Sequence, residues 1–321
     1  MDSLTQIVLG AAVGEATLGK KQGGRAALWG AIGGTIPDLD VIAGMFQGEF
    51  QYLIAHRGVS HSIIFSVLMA PLLGRLIFYL YRGQRGSPRE WSWLMFWALF
   101  THPLLDSFTT WGTQLFYPFS DYRVAFNSIF VIDPLYTLPF AICLLVALSL
   151  PRTSLWRQRW NWAGIVISSL YLLLTVTNKL AVESVFQQTL HRAGKSVVRL
   201  STYPAPLNNV LWYTVAEEPS GFDVGYYSLL SGLDRPKIDF HYIPKNHQLL
   251  GGRDDQFVPE RLRWMSKGYY ALGQQDSSLL WYDLRFGLLN PFLPDTATEP
   301  AFVFAYRLIE EGDSIVQVEQ R

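Results

Sequence analysis

Long apolar stretches alternate with short polar connectors through roughly the first 180 residues of the chain. Most of these stretches approach the ~20 residues that a helix needs to cross the hydrocarbon core of a bilayer. The predicted spans are 4–19, 25–46 with a break at Pro37, 61–81, 92–116, 129–150 and 161–181. The pattern therefore predicts an α-helical integral membrane domain of about six helices.

The pattern changes after about residue 195, where short apolar stretches stand between Gly, Pro and Asn turns. Such stretches are typical of β-strands. Strands are expected at 197–203, 210–215, 224–230, 238–243, 269–272, 279–284 and 302–308, and one amphipathic helix at about 255–266. The sixth apolar helix continues to Gly194, which fits a C-cap. We therefore predict a membrane domain at 1–194 and a β-rich (α+β) extramembrane domain at 195–321.

Composition narrows the classes of function. Half of the residues are hydrophobic and 16% are charged, which is unusual for a soluble protein. Lys plus Arg equals Asp plus Glu at 26 each, so there is no basic field to recruit nucleic acid. The single cysteine, Cys143, excludes an intrachain disulfide framework and a thiolate-rich zinc site. A bound metal would have to use His and carboxylate ligands. The first residues lack a basic region, so we do not expect a cleavable signal peptide.

Basic residues predict the orientation of the spans. Three follow each of the first, third and fifth spans: Lys20, Lys21 and Arg25; Arg82, Arg85 and Arg89; Arg152, Arg157 and Arg159. The intervening connectors carry only Arg57 and Arg123. By the positive-inside rule, the first set faces the cytoplasm and the second faces outward. With six spans, both termini would lie outside.

Two carboxylates, Asp38 and Asp40, interrupt the second apolar stretch beside Pro37. Ionisable groups at membrane depth are costly, and they usually pair, line a wet cavity or bind an ion. We therefore interpret Asp38 and Asp40 as functional. The alternative is a polar loop that emerges early at the surface.

A second cluster surrounds a glycine turn and contains His56, Arg57, Ser60 and His61. Ser60 is expected to cap the third helix and to leave His61 in its first turn. Imidazoles are common ligands of zinc and related metals, and this spacing would bring both to one ion. A satisfied surface or core role is the alternative for the two histidines. Arg57 fits either bidentate binding of a phosphate or a simple loop cation.

A third cluster, with His102 and Asp106, lies in an apolar segment rich in Trp and Phe. Four residues separate the two side chains, which places them on one face of a helix. The carboxylate would then share an ion with the imidazole or orient it. The alternative is an isolated hydrogen bond that ties two helices together. Pro103 fits the first turn of a helix, so we expect a helix to begin there.

The predicted topology brings the three clusters together, because the connectors at 38–60 and 107–133 both lie on the outer side. Asp2, Gln6 and Asp133 are further candidates at that side. Asp2 could instead begin the first helix, and Asp133 could instead be an N-cap before Pro134. Both alternatives stay open at this point.

The motifs, taken in order, resemble the YdjM-like family of inner-membrane, predicted metal-dependent hydrolases. The resemblance covers about the first 180 residues and rests on the opening Met-Asp-Ser-Leu-Thr-Gln and on the Pro-Asp-Leu-Asp, His-Arg-Gly-Val-Ser-His-Ser, His-Pro-Leu-Leu-Asp and Asp-Pro motifs. It implies a bacterial inner-membrane protein with a divalent metal. It also suggests a distant similarity to zinc-dependent phospholipase C and P1-type nucleases, whose ligand pair of His and Asp four apart corresponds here to His102 and Asp106. One or two metals are expected.

These observations lead to one leading hypothesis of function. We expect a metal-dependent hydrolase of a phosphoester or other ester, with a lipid-linked substrate as one option and with the site and the carboxyl-terminal domain facing the periplasm. The metal is expected to be Zn, with Mn or Mg as alternatives, held by Asp38, Asp40, His56, His61, His102 and Asp106. Asp40 and Arg57 are the candidate catalytic residues. The competing hypotheses are a non-catalytic, metal-stabilised transport or assembly component, and a soluble enzyme with unusually apolar helices.

Overall fold

The computed structural model describes residues 1–44, 46, 49–81, 86–232, 238–275, 278–288 and 302–320. Two compact units divide the chain. The first comprises 1–46, 55–176 and 206–208, and the second comprises 47–54, 177–205 and 209–321. The division falls within the long helix that ends at Arg192, whereas the sequence-based boundary at 194 lies at the end of that helix.

The helices, in chain order, are α1 Ser3–Gln22, α2 Gly24–Thr35, α3 Asp40–Gly44, α4 Glu49–Ala55, α5 Ile63–Leu80, α6 Pro88–Asp106, α7 Pro134–Ser149, α8 Leu155–Arg192 and α9 Phe257–Met265. Two short 3₁₀ turns, Ile36–Leu39 and Val59–His61, precede α3 and α5. The break predicted at Pro37 is therefore the first of these turns. The helical amino-terminal region expected from the sequence is confirmed.

Glycines allow α1 and α2 to pack with their backbones in contact. Gly10 and Gly14 on α1 face Gly30 and Gly34 on α2. A Cβ added at Gly30 would lie 2.1 Å from the carbonyl oxygen of Gly10, so no larger residue fits without movement. Small residues spaced by four are a common means of close helix packing in membranes. This contact fixes the end of α2, which leads directly into the turn that carries Asp38.

Two helix boundaries differ from the sequence-based predictions. The predicted span 92–116 ends at Asp106, and Pro103 lies inside the last turn of α6 instead of beginning a helix. After Asp106 the chain turns tightly, because the amides of Phe108 and Thr109 bond to carbonyls only three residues back. The cap of α5 is Ser62 and not Ser60; its hydroxyl accepts a hydrogen bond from the Phe65 amide at 3.1 Å.

Among the described residues, α5 and α8 are the helices long and apolar enough to cross a membrane, and α7 is a shorter apolar helix. Leu68, Leu72 and Leu76 form an exposed apolar row along α5. Such a row would be unfavourable in water and suits contact with lipid. The 38 residues of α8 extend over about 57 Å, which exceeds the ~30 Å hydrocarbon core of a bilayer. The count of six spans stays a prediction.

The second unit contains two antiparallel four-stranded sheets with the orders β1-β2-β3-β4 and β5-β6-β7-β8. Their strands are β1 Arg199–Pro204, β2 Leu211–Glu217, β3 Gly221–Ser228, β4 Phe240–Pro244, β5 Tyr270–Gln275, β6 Ser278–Asp283, β7 Ala305–Glu311 and β8 Ser314–Gln320. The seven predicted strands and the predicted helix at 255–266 are confirmed. The prediction missed β8, whose charged and amide side chains obscure its apolar alternation.

Residues of both sheets share one core in the second unit. Tyr203, Tyr213 and Phe222 from the first sheet meet Ala271 and Phe302 from the second sheet and its adjoining segment. The last part of α8 covers the first sheet through Val182, Val185 and Phe186. The carboxyl-terminal region is therefore an independently cored β-rich unit, as the sequence predicts.

Candidate metal centre

Four side chains from three sequence motifs converge in the first unit: Asp38, His61, His102 and Asp106. The two histidines and Asp106 are fully buried, and the side chain of Asp38 is 23% exposed. One potential ligand atom from each residue lies within 4.8 Å of the others. The convergence expected from the topology is therefore confirmed.

The spacing of the ligand atoms suits a small cation. His61 Nε2 and His102 Nε2 are 3.2 Å apart, and Asp38 Oδ1 lies 3.4 Å and 3.3 Å from them. Asp106 Oδ2 lies 3.5 Å from each of the same two nitrogens. Tetrahedral ligands at the ~2.0–2.1 Å bond lengths of zinc are about 3.3 Å apart. These five distances therefore fit one cation that touches all four residues.

The outer nitrogen of each imidazole is held by a defined partner. His102 Nδ1 lies 2.5 Å from the carbonyl oxygen of Gly34, an acceptor, so this nitrogen carries the proton. The Ser60 hydroxyl donates to Asp40 at 3.1 Å and is 3.0 Å from His61 Nδ1, so it can accept from that nitrogen. Protons assigned in this way leave both Nε2 atoms as lone-pair donors. Two lone pairs that face each other repel unless a positive charge lies between them.

One carboxylate oxygen of Asp106 is the second observation that points to a cation at this site. Its Oδ2 atom is buried and accepts no hydrogen bond from any described residue, although Arg57 Nε is 3.3 Å away. Its other oxygen, Oδ1, accepts a hydrogen bond from Gln6 Nε2 at 3.0 Å and pairs with the amino group of Met1. Buried carboxylate oxygens are normally hydrogen-bonded or bound to a cation. The donor set therefore fits a divalent metal of the zinc or manganese type.

Asp40 and His56 lie beside this group. Asp40 Oδ1 is 2.9 Å from His56 Nδ1, and Oδ2 accepts the Arg57 amide at 3.1 Å. Asp40 Oδ2 is also 3.5 Å from His61 Nδ1. Asp40 therefore orients a histidine of the group, while His56 forms its contact with Asp40. The direct ligand roles predicted for Asp40 and His56 stay predictions.

Arg57 is nearly buried, with 4% exposure, and its backbone is left-handed with a φ of 64°. Its Nη1 donates to the Thr109 hydroxyl at 2.9 Å, and its Nε faces Asp106. These contacts favour the loop-cation interpretation, in which Arg57 balances the charge of Asp106. No sequence motif indicated a role for Thr109 at this site.

The segment after α6 fastens the histidine loop. The Gln114 amide donates to the Arg57 carbonyl at 3.1 Å, and Arg123 Nη2 donates to the His56 carbonyl at 2.9 Å. The Ile63 amide in turn donates to the Leu115 carbonyl at 3.0 Å. The connectors at 38–60 and 107–133 thus meet at one end of the helices, where both were expected.

The remaining candidates divide into two classes. Gln6 joins the group through Asp106, as its position on α1 suggested. Asp2 caps α1 by accepting from the Thr5 amide at 3.0 Å, which confirms the alternative role. Asp133 likewise caps α7 through the Leu135 amide and accepts from the Tyr171 hydroxyl at 3.0 Å. Asp2 and Asp133 are therefore structural in the described contacts.

An apolar helical unit that gathers two buried histidines, one buried carboxylate and one partly exposed carboxylate at one end defines a membrane protein with a candidate metal centre. The family model described as YdjM inner membrane protein matches residues 1–182. The chain belongs to this family, as the motifs indicated. All the residues of the candidate metal centre lie within the matched region.

Two relatives share parts of the chain. An "Uncharacterized protein YfhP" of Bacillus subtilis is 33% identical over 141 residues, which are 42% of this chain and 42% of the relative. "Inner membrane protein YbcI" of Escherichia coli is 34% identical over 99 residues, which are 29% of this chain and 54% of the relative. The chain thus spans about half the length of these relatives or less. No solved structure matches the chain.

Proposed function

We propose that this protein is a membrane-bound, metal-dependent hydrolase that cleaves a phosphoester or other ester at the outer face of the membrane. The observation that carries the proposal is the pair of imidazole nitrogens, His61 Nε2 and His102 Nε2, facing each other at 3.2 Å. The carboxylates of Asp38 and Asp106 flank this pair. A cation is the simplest partner that satisfies all four groups.

In this proposal Asp38, His61, His102 and Asp106 hold the metal. When bound, such a cation supplies Lewis acidity toward water and toward a substrate oxygen. The Gly34 carbonyl and the Ser60 hydroxyl, which itself donates to Asp40, keep the two imidazoles in the tautomers that present Nε2. Zn suits two imidazoles and two carboxylates, and Mn or Mg are the alternatives.

Asp40 and His56 are the proposed acid–base pair. The side chains of Asp40 and His56 are 17% and 25% exposed, whereas those of His61 and His102 are fully buried. A hydrogen-bonded carboxylate and imidazole that reach solvent can accept a proton at His56 and pass it to water. Arg57 is proposed to hold Asp106 in place, and binding of a substrate phosphate stays its second predicted role.

A lipid-linked substrate is supported by the groove beside Asp38. The groove has a volume of about 330 Å³ and is lined by Ile7, Ala31, Ile32, Thr35, Ile36 and Leu39. Ile36 and Leu39 belong to the same 3₁₀ turn as Asp38. A hydrocarbon chain in this groove would therefore bring its polar end toward the carboxylate of Asp38.

The test combines metal analysis with hydrolysis by the full chain purified in detergent. We expect stoichiometric zinc or manganese and hydrolysis of a phosphodiester or ester from a panel that includes lipid-linked substrates. A His61→Ala, His102→Ala double variant should lose both properties. The matched control is His191→Ala, His241→Ala, which removes two histidines outside the centre.

Two outcomes would contradict the proposal in different ways. Stoichiometric metal in a protein that hydrolyses nothing in the panel would favour the metal-stabilised transport or assembly component. A wild-type protein that binds no divalent metal would overturn the metal centre itself. In that case a shared proton between the two imidazoles would have to replace the cation.

A further inference from the structure

A second groove lies in the first unit between α1, α5 and α6, toward the other end of α1 and α6. Its volume is about 730 Å³. Basic side chains of Lys20, Lys21 and Arg89 stand at one end. The rest of its wall is mainly apolar and includes Val67, Ala70, Pro71, Trp93 and Phe96. The groove therefore joins a cationic end to a hydrocarbon wall.

The cationic end has an excess of positive charge. Lys21 pairs with Glu90, which leaves Lys20 and Arg89 as the surplus. Among the described residues, neither Lys20 nor Arg89 forms an ion pair. The four charges sum to +2, because three cations face one carboxylate. This end should attract an anion with more than one negative oxygen, such as a phosphate group.

The apolar part is open to the side of the helical unit. Val67 is 51% exposed and Trp93 is 56% exposed, although both residues line the groove. The space exists because α5 presents Ala70 and Pro71 here, where larger side chains would fill it. From Arg89 to Phe96 the helix rises about 10 Å, which is the length of roughly eight methylene groups.

We propose that this groove binds one anionic phospholipid, with its phosphate between Lys20 and Arg89 and an acyl chain along Val67, Trp93 and Phe96. Free phosphate would leave the apolar wall exposed, and a zwitterionic lipid would bring a further cation to an end that already has a surplus of positive charge. Basic residues beside a membrane helix attract anionic lipids. The positive charge at one end of the groove and its apolar wall therefore both indicate an anionic phospholipid.

The proposed lipid site is independent of the metal centre. Lys20 lies near the end of α1, whereas Gln6 of the centre lies near its beginning. On α6, Arg89 is likewise in the first turn and Asp106 is the last residue. By the positive-inside interpretation, the basic end faces the cytoplasmic leaflet. The lipid there would be a bound component of the protein and not the substrate of the centre.

The experiment is native mass spectrometry of the full chain in detergent, titrated with phosphatidylglycerol. We expect one phosphatidylglycerol to bind more tightly than phosphatidylcholine. A Lys20→Gln, Arg89→Gln variant should weaken this binding about 25-fold, because each of the two cations near an anionic lipid strengthens binding about fivefold. Val67→Trp should weaken it by filling the groove. The matched control is Arg152→Gln, Arg159→Gln, which removes two cations outside the groove lining.

Three results would overturn the proposal. The first is phosphatidylglycerol affinity that the Lys20→Gln, Arg89→Gln variant leaves unchanged, or that the control lowers equally. The second is phosphatidylcholine binding as tight as that of phosphatidylglycerol. The third is displacement by millimolar inorganic phosphate with no effect of Val67→Trp, which would indicate a free-anion site. Unchanged thermal unfolding of each variant excludes a folding defect, and Val67→Phe replaces Val67→Trp if the latter does not fold.

Discussion

The helical unit buries polar groups at two places, and the two places satisfy them differently. The Glu15 carboxylate accepts hydrogen bonds from Arg157 Nε and Nη2, at 2.6 Å and 2.7 Å. Arg157 Nη1 donates a third hydrogen bond to the Leu150 carbonyl at 2.9 Å. Each charge in this pair therefore has its opposite. At the other place, His61 and His102 present two lone pairs to each other, and a buried oxygen of Asp106 accepts no hydrogen bond within the described residues.

The difference teaches how a structural ion pair and a candidate ligand site can be told apart. Burial and charge occur in both, so neither property alone identifies a function. The two places differ in whether each of the converging acceptor atoms has a hydrogen-bond donor. The Glu15–Arg157 pair is complete with its own atoms, whereas the His–Asp group could hold a metal ion.

The strongest test removes one imidazole. His102→Ala should abolish the bound metal, because a divalent ion would lose one of two nitrogen ligands and its partner His61 would face an empty space. Elemental analysis of the purified variant measures this directly. If the variant retained a full equivalent of metal, the four-residue centre would be wrong.

The complementary test breaks the ion pair. Arg157→Ala should lower the free energy of unfolding by about 3–5 kcal/mol, because Glu15 would stay buried without a partner. Metal content should not change. Thermal denaturation in detergent, followed by metal analysis of the folded fraction, measures both.

A double variant sharpens this result. Glu15→Met with Arg157→Met removes both charges and should be considerably more stable than Arg157→Ala alone. Release of metal by Arg157→Ala would show that the two places are coupled. The comparison between them would then no longer hold.

A smaller effect is expected from the carboxylate behind His61. Asp40→Asn should weaken metal affinity by about 10–100-fold, since groups that orient a ligand usually contribute that much. Chelator competition measures the affinity. Asp255→Asn, at a fully exposed carboxylate of the second unit, is the control. Equal affinities for all three proteins would remove Asp40 from the centre.

The smallest effect concerns an ion pair outside the membrane helices. Lys195 Nζ lies 2.8 Å from Asp223 Oδ2, and the contact with this carboxylate raises the pKa of Lys195 above its ordinary 10.5. The pair therefore stabilises the folded protein below pH 10.5, and the stabilisation is lost as pH rises through the folded pKa. Lys195→Gln should remove this pH dependence and cost about 1 kcal/mol or less. The free energy of unfolding is measured for both proteins at pH 9 and pH 11. The same change between the two pH values in wild type and variant would contradict this prediction.

The sequence predicted the residues of the centre better than their individual contacts. The spacing of His102 and Asp106 places both on one helix face, and this holds in α6. His56 and His61 were expected to face one ion together. Arg57 reverses the chain between them with a φ of 64°, so His56 turns to Asp40. Distant bonds such as Gln114 to Arg57 hold that turn, and local sequence does not reveal them.

The fold was predictable to a similar degree. The periodicity located the long helices and seven strands, but it missed the short α4 and extended α6 past Asp106 because the next segment is also apolar. There, Phe108 and Thr109 form a tight turn that tertiary contacts stabilise. The role of the Gly34 carbonyl was also missed. The four-residue spacing of Gly30 and Gly34, opposite Gly10 and Gly14, was the available signal.

The glycine contact between α1 and α2 has a consequence for the orientation of the His102 ring. Because the backbones touch, the Gly34 oxygen is held in place by a neighbouring helix and not by a flexible side chain. The ring of His102 is thereby aimed before any ion arrives. A shift of α1 along α2 would break this backbone contact, so the packing register of two glycine-rich helices determines whether the Gly34 oxygen stays in place beside His102.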